Sequence, residues 1–354
     1  MLSVDFDDLD LGFDVVIVGA GPAGCIAARE ISEDFKVLLL DESSWPRMKA
    51  CGGILVEATI EFLQDFKIPE SVFEEPKILD LHYVDFNNNK ENFEKKDFLN
   101  INRQKFDNWL FSLLNDKNNI TFIERTKLID FYFTRDRKHI VLVLKNNGKV
   151  RTIISKYLLS AEGSFSTIRN KMSIHKMPYY LGMQQLVPNL KSGTITFIFD
   201  DEITDFYSWM IPKKDGLLVG SAVSIYNPRE SFNLFKQKIR DKYNIEVNGK
   251  ISSALISRPL SVRDFFLGDG NILILGEAAG LITPSAGEGI SFALKSGSFA
   301  AQAINKSSNS PMLLYKKLCK PLIERLTAKL KKARRISKAN TRAKAYANSH
   351  ANLK

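Results

Sequence analysis

Apolar and polar positions alternate along this chain with two periods, and the changes of period mark the elements. Residues 13–18 form a short β-branched run that leads straight into Gly19-Ala20-Gly21-Pro22-Ala23-Gly24 and then a small-residue stretch through Ala27 and Ala28. That pattern predicts a strand, a tight turn and a helix. Residues 36–40 repeat the buried-strand signature and stop at Asp41, which completes a βαβ unit. Helical spacing is expected from Leu55 to Phe66, and alternation over residues 77–86 predicts another strand. The Asn- and Lys-rich stretch 87–96 has neither period and is expected to be a loop.

Phe106, Trp109, Leu110, Leu113 and Leu114 recur at helical spacing, and residues 121–123, 128–133, 140–144 and 150–159 then read as strands. The last two are joined by Asn146-Asn147-Gly148, a hairpin signal. From about residue 173 to 264 β-branched and aromatic residues dominate, predicting a separate sheet with a helix near 232–242. Residues 271–275 return to the buried-strand pattern, followed by a Gly- and Ala-rich helix start and a basic helical tail. The expected fold is α/β. A Rossmann-like dinucleotide-binding domain is assembled from residues 1–75, 98–172 and 267–310, a mainly β substrate domain is inserted as 76–97 and 173–266, and a helical C-terminus covers 311–354.

Composition narrows the function. Cys25, Cys51 and Cys319 lie far apart with no CxxC pair and no histidine at ligand spacing, so neither a disulfide framework nor a metal site is expected. His82, His139, His175 and His350 sit in no motif, which leaves a histidine-based triad without support. Asp5, Asp7, Asp8 and Asp10 are the reverse of a basic secretory leader, and no stretch approaches the ~20 apolar residues of a membrane span. A cytoplasmic protein is expected. The net charge of +10 is concentrated at one end: from Pro311 onward thirteen Lys or Arg face one acid, Glu324, leaving residues 1–310 at −2. Three uses of this tail stand open. It packs on the first domain through Leu314, Leu318, Ile323 and Leu326; it binds an anionic membrane surface peripherally; or it docks an acidic electron carrier. Nucleic acid is not expected, because Tyr346 is the only Phe, Trp or Tyr after Tyr315 and no stacking platform accompanies the charge.

The glycine turn carries the first chemistry. Gly19 permits the tight turn, Gly21 lets backbone approach a pyrophosphate, and Gly24 lets the helix pack closely, while the free N–H groups at the helix start, which Ala23 helps form, face the phosphates. Asp41 follows at the distance of a ribose-binding acid. Cys25, inside that helix, reads as a small packed residue. The turn alone does not separate NAD from FAD.

Other segments do. Asn102-Arg103-Gln104-Lys105-Phe106-Asp107-Asn108-Trp109-Leu110, Ser160-Ala161-Glu162-Gly163-Ser164-Phe165-Ser166-Thr167-Ile168-Arg169, and the run from Gly276-Glu277-Ala278-Ala279-Gly280 to Gly287-Glu288-Gly289-Ile290 resemble, in order and spacing, three segments of the flavoprotein hydroxylase group, particularly its geranylgeranyl-reductase-like branch. The resemblance covers residues 13 to about 300 and implies a p-hydroxybenzoate-hydroxylase-like fold with bound FAD. It places Arg103 beside the flavin, Glu277 at the ribityl chain, and the Gly287, Gly289 and Ile290 amides facing the isoalloxazine. Glu162 and Glu277 stand where the wider group has aspartate.

Lys49-Ala50-Cys51-Gly52-Gly53 resembles the reductases' C-G-G segment, and Tyr207-Ser208-Trp209-Met210-Ile211-Pro212 resembles their Y-x-W-x-F/I-P pattern. Cys51 is either a thiol beside the reacting carbon or a packed cysteine. Tyr207 and Trp209, two apart on one strand, either wall an apolar pocket or fill a core. The resemblance implies a reductase that passes a hydride from reduced FAD to a carbon–carbon double bond of an apolar prenyl or lipid-like substrate, with Cys51 or Tyr207 supplying the proton and NAD(P)H or a ferredoxin-like carrier as external electron donor. An aromatic monooxygenase, a halogenase using Lys49, and an electron-carrying flavoprotein without its own substrate are the alternatives.

Overall fold

The computed structural model describes residues 1–306 and 310–351. The chain begins with β1 (Leu2–Ser3), β2 (Gly12–Val18), α1 (Pro22–Glu30), β3 (Val37–Leu40), β4 (Ile54–Leu55) and α2 (Glu57–Phe62). A long hairpin of β5 (Phe73–Asp85) and β6 (Lys90–Ile101) precedes α3 (Arg103–Ser112), β7 (Ile120–Ile123), β8 (Thr126–Phe133), β9 (Ile140–Asn146), β10 (Lys149–Ser160) and α4 (Thr167–Met172). Next come β11 (Tyr179–Pro188), β12 (Thr194–Asp200), β13 (Thr204–Lys213), β14 (Gly216–Ser224), α5 (Pro228–Tyr243) and β15 (Ser252–Ser257). The chain closes with β16 (Gly268–Asp269), β17 (Ile272–Ile274), α6 (Ile290–Lys306), α7 (Pro311–Ile336) and α8 (Ala339–Ala351).

These strands form two sheets. The nine-stranded sheet has the order β1-β7-β3-β2-β10-β17-β16, with β9 and β8 continuing from β10 as an antiparallel meander. Its centre is parallel, and Val15, Val16, Ile17 and Val37 to Leu40 are buried, as expected of strands covered on both faces. Helix α1 packs against α6 so closely that a Cβ at Gly297 would lie 2.4 Å from the Ala23 carbonyl oxygen. The helices can approach only because small residues face each other there.

The eight-stranded sheet, ordered β15-β11-β14-β13-β12-β5-β6-β4, is antiparallel except for β12 beside β5. It takes in all of residues 73–101 as well as Ile54 and Leu55, so its strands extend past the 76–97 segment expected from the sequence. The loop expected at 87–96 is corrected here: residues 90–101 form β6, paired antiparallel with β5. Its polarity has a physical cause. Over most of its length β6 borders solvent, and Lys90, Lys95 and Lys96 are exposed, so the strand carries charge as unprotected edges do. The helix expected to reach Phe66 stops at Phe62.

Each face of this sheet has its own apolar layer. Val84, Met183, Ile198, Met210 and Val219 pack against Phe232, Phe235 and Ile239 of α5. Leu81, Ile195, Trp209 and Ile211, with Tyr83, Phe98, Phe197 and Tyr207 beside them, occupy the opposite face.

Helix α7 buries Tyr315, Cys319, Leu322, Leu326 and Leu330, with Leu314 and Ile323 partly buried, and the Tyr315 hydroxyl donates to the Ile274 carbonyl at 2.8 Å. Arg342, one of the thirteen cations counted in the tail, is buried at 4% exposure. Its Nε lies 2.6 Å from Asp85 Oδ2 and its Nη1 2.7 Å from Asp201 Oδ1, which fastens α8 to the second sheet. No helix of the described residues is long and apolar enough to cross a membrane.

Burial pushes the Asp85 carboxyl up, but Arg342 and Asn88 outweigh it and hold it below the ordinary value. Arg342→Met removes the guanidinium from a fully buried carboxylate, and urea unfolding at neutral pH is expected to show a loss of roughly 3–5 kcal/mol. Because the folded value is depressed, the ion pair's contribution is present above about pH 4 and fades below it, so parent and variant should converge in acid. A loss below about 1 kcal/mol would show that the pair contributes little.

Candidate flavin and substrate site

The glycine turn forms because β2 delivers the chain into a space that side chains cannot share. Gly19 has φ +102°, and a Cβ on it would lie 2.3 Å from the Ala161 oxygen; one on Gly24 would lie 1.9 Å from the Gly19 oxygen. Asp41, buried at the end of β3, accepts from the Ala20 N–H at 2.8 Å and from the Ser43 N–H at 2.9 Å. It therefore fixes the turn, and its remaining lone pairs can accept from a ligand hydroxyl. Cys25 is buried and donates to the Ala20 carbonyl at 3.0 Å, with its thiol pushed up first of all by burial, as befits a packed residue.

Beside the turn lies a charge cluster. Asp107 on α3, 2% exposed in its side chain, accepts from Arg47 at 2.9 Å and from Arg103 at 3.1 Å through both carboxylate oxygens. The Arg47 guanidinium stands over Gly21, where an added Cβ would lie 2.7 Å from its Nη2, and its buried Nε has no partner among the described residues. Arg103 flanks Cys51. Burial alone would raise the Cys51 thiol, but the Arg103 guanidinium, the Gly53 N–H at 3.4 Å and Lys49 together hold it below its ordinary value. The loop carrying Cys51 is held from beneath: Gly53, at φ +69°, leaves no room for a Cβ against the Ile101 oxygen, and Lys213 Nζ donates to Asn100 Oδ1 at 2.7 Å and to the Ile101 carbonyl at 3.1 Å.

Residues 276–290 supply the facing wall. Glu277 Oε1 accepts from the Ser257 N–H and the Ser164 hydroxyl, each at 2.8 Å, and Oε2 pairs with Lys49 at 3.4 Å. Glu162 is occupied elsewhere, accepting from Ser160 Oγ and from the first N–H groups of α4. Arg169, fully buried, donates to the Ala278 and Asp264 carbonyls and so props the wall from behind.

From the second sheet, Tyr207 and Trp209 project together from β13, with ring centroids 5.9 Å apart, and Phe197 stands 4.9 Å from Tyr207. Trp209 lies across β14 over Gly220, where a Cβ would come within 2.5 Å of the indole. The Tyr207 hydroxyl donates to the Ala286 carbonyl at 2.6 Å, and burial pushes its pKa well up.

All these surfaces enclose one cavity of about 450 Å³. Gly19, Gly21, Ala23, Asp41, Arg103, Cys51, Glu277, Gly287, Gly289, Ile290, Tyr207 and Trp209 all line it. Gly24 and Gly276 lie behind the wall as packing positions. The chain fits a dinucleotide cofactor: α1 opens at Gly21 with no side-chain cap on its N–H groups, Arg47 presents an unpartnered buried donor above it, and a carboxylate stands at the end of β3.

The fold and this site define an FAD-dependent oxidoreductase of the flavoprotein hydroxylase group. A model described as "FAD binding domain" matches residues 12–232, more than half of the chain, and the chain belongs to that family. Protein CbrA of Escherichia coli (strain K12) is 28% identical over 333 residues, covering 91% of this chain and 92% of CbrA. Among solved structures, a geranylgeranyl bacteriochlorophyll reductase-like protein from Thermoplasma acidophilum superposes with a TM-score of 0.78 at 18% identity, over 92% of this chain and 88% of its own. The flavin-dependent brominase Bmp2 gives 0.71 at 18% identity over 88% and 83%, and pqsL, a probable FAD-dependent monooxygenase from Pseudomonas aeruginosa, 0.68 at 12% over 92% and 96%. These likenesses show the fold.

Sequence reasoning missed Arg47, Asp107 and Lys213. Asp107 stands four residues from Arg103 on one helix, a spacing that signals the pair. No local pattern brings Arg47 to Asp107, or Lys213 under Gly53.

Purified protein is expected to release FAD rather than FMN on denaturation, and Gly21→Val to lose it, since a branched side chain would fill the space between turn and guanidinium. A colourless protein that cannot be reconstituted with FAD contradicts the site. A second expectation concerns Lys213, whose ammonium is pushed down to about 8 chiefly by burial, against the opposing pull of Glu74 and Cys51. The unfolded chain then binds more protons between about pH 8 and 10.4, so this group's contribution to stability rises with pH across that window. Urea unfolding of the parent and Lys213→Met should show their difference shifting in the parent's favour from pH 7.5 to pH 10; a constant difference rejects the titration.

Proposed function

We propose that the protein is a reductase that delivers hydride from reduced FAD to a carbon–carbon double bond of an apolar, prenyl or lipid-like substrate. The observation that carries this reading is that one cavity is lined both by the glycine turn and Asp41 and by the apolar side chains of Leu81, Phe98, Ile195, Phe197 and Trp209. Such walls exclude water and favour a hydrocarbon chain. The reductase-like fold neighbour supports the same class by analogy alone.

FAD, when bound, supplies the hydride chemistry. The chain's own residues bind and orient. The turn at Gly19 to Gly24, with Asp41 and Arg47, holds the adenosine and phosphate portion, and Arg103 and Cys51 line the same cavity as the aromatic side chains. Saturation of the double bond needs a proton on the carbon that does not take hydride, and NAD(P)H or a ferredoxin-like carrier restores the two electrons. Cys51 is the better donor of the two candidates. Its lowered pKa makes the Sγ–H a stronger acid, whereas the Tyr207 proton is committed to the Ala286 carbonyl. Lys49 also faces the cavity, which keeps a halogenase as the second reading, but its ammonium is engaged by Glu277.

The test is reoxidation of dithionite-reduced protein without air. Prenyl lipids should reoxidise it; a strict requirement for oxygen supports a monooxygenase, oxygen plus halide a halogenase, and no reoxidation by any candidate a carrier. Cys51→Ala is expected to keep FAD while turnover falls roughly ten- to a thousandfold, the range for a positioned acid. Unchanged turnover would return Cys51 to a packing role.

A further inference from the structure

We propose that the outward face of α7 is a docking surface for an anionic lipid bilayer. The helix spans 26 residues, about 39 Å at the usual rise. Its inner face is used in packing, with Tyr315, Cys319, Leu322 and Leu326 buried against the first domain and Leu330 buried one turn further on. Its outer face carries two cationic clusters: Lys316, Lys317 and Lys320 are exposed near the start, and Lys331, Lys332, Arg334 and Arg335 near the end. The one acid of the helix, Glu324, is itself 3.9 Å from Lys320.

Charge on this face exceeds what packing or solubility requires, because residues 1–310 together carry −2. Two clusters of cations on one helix face match an anionic leaflet. In the first turn Leu313, 72% exposed, stands on the same face among the lysines, where a lipid interface accommodates an apolar side chain and bulk water does not. The binding itself does not depend on the reductase reading and is measured without turnover.

The full-length, FAD-loaded protein is mixed with vesicles of phosphatidylcholine alone or of equal parts phosphatidylcholine and phosphatidylglycerol, then sedimented. It should sediment with the mixed vesicles only, and be released as added salt shortens the Debye length from ~10 Å at 0.1 M to ~3 Å at 1 M. Replacing Lys331, Lys332, Arg334 and Arg335 with Gln should weaken binding at least about tenfold while FAD content and unfolding midpoint stay unchanged. Lys316, Lys317 and Lys320 replaced with Gln provide a second variant if the first fails to fold. Equal sedimentation of parent and variants, no sedimentation of the parent, or retention by an acidic carrier protein without vesicle binding would overturn the proposal.

Discussion

The Asp107 carboxylate is the contact on which the centre of the site depends. Buried on α3, it accepts from Arg103 four residues earlier and from Arg47 sixty residues earlier, joining the helix to the loop after β3. A carboxylate so placed requires both guanidiniums, and each of them then has a fixed position. Arg47 stands above the glycine turn and Arg103 beside Cys51. The guanidinium above the glycine turn and the one beside the thiol are thereby both tied to one buried charge. Burial lowers the pKa of Arg103, but Asp107 and Cys51 outweigh it and raise the net value, so the guanidinium remains a cation against which a thiolate is stabilised.

The second sheet is organised to meet that cluster. One face is closed by α5, which leaves Tyr207, Trp209 and their neighbours free to face the first domain. Gly220 lets the indole lie across the sheet, and the hydrogen bond from Tyr207 to Ala286 ties the aromatic wall to the 276–290 segment. Buried Arg258 repeats this tie at the back, reaching the Pro284 carbonyl, Asp205 and Ser337 of the tail. Both domains thus share walls of one cavity.

Much of this was legible in the sequence, for reasons that can be stated. The glycine turn, its strand and its acid are local, with period and spacing that leave little choice of conformation. Asn147 and Gly148, both at positive φ, close the hairpin that the Asn-Asn-Gly run signalled. Residues 90–101 misled because a solvent-bordered strand has no apolar alternation to display. Arg342 did not stand out among the cations of the tail because a cation's burial is decided by Asp85 and Asp201, partners more than a hundred residues away. Cys51, Tyr207 and Trp209 were found by resemblance; that they line one cavity is a fact of packing that no spacing encodes.

In the proposed reaction the glycine turn and the aromatic side chains of one cavity serve a single chemistry. It is tested by mass spectrometry of prenyl lipids after incubation with the reduced protein without oxygen. Products should be heavier by whole pairs of hydrogen atoms, one pair for each double bond saturated, and form only when the protein has been reduced. Lipids of unchanged mass, or products that gain oxygen or halogen instead, would contradict it.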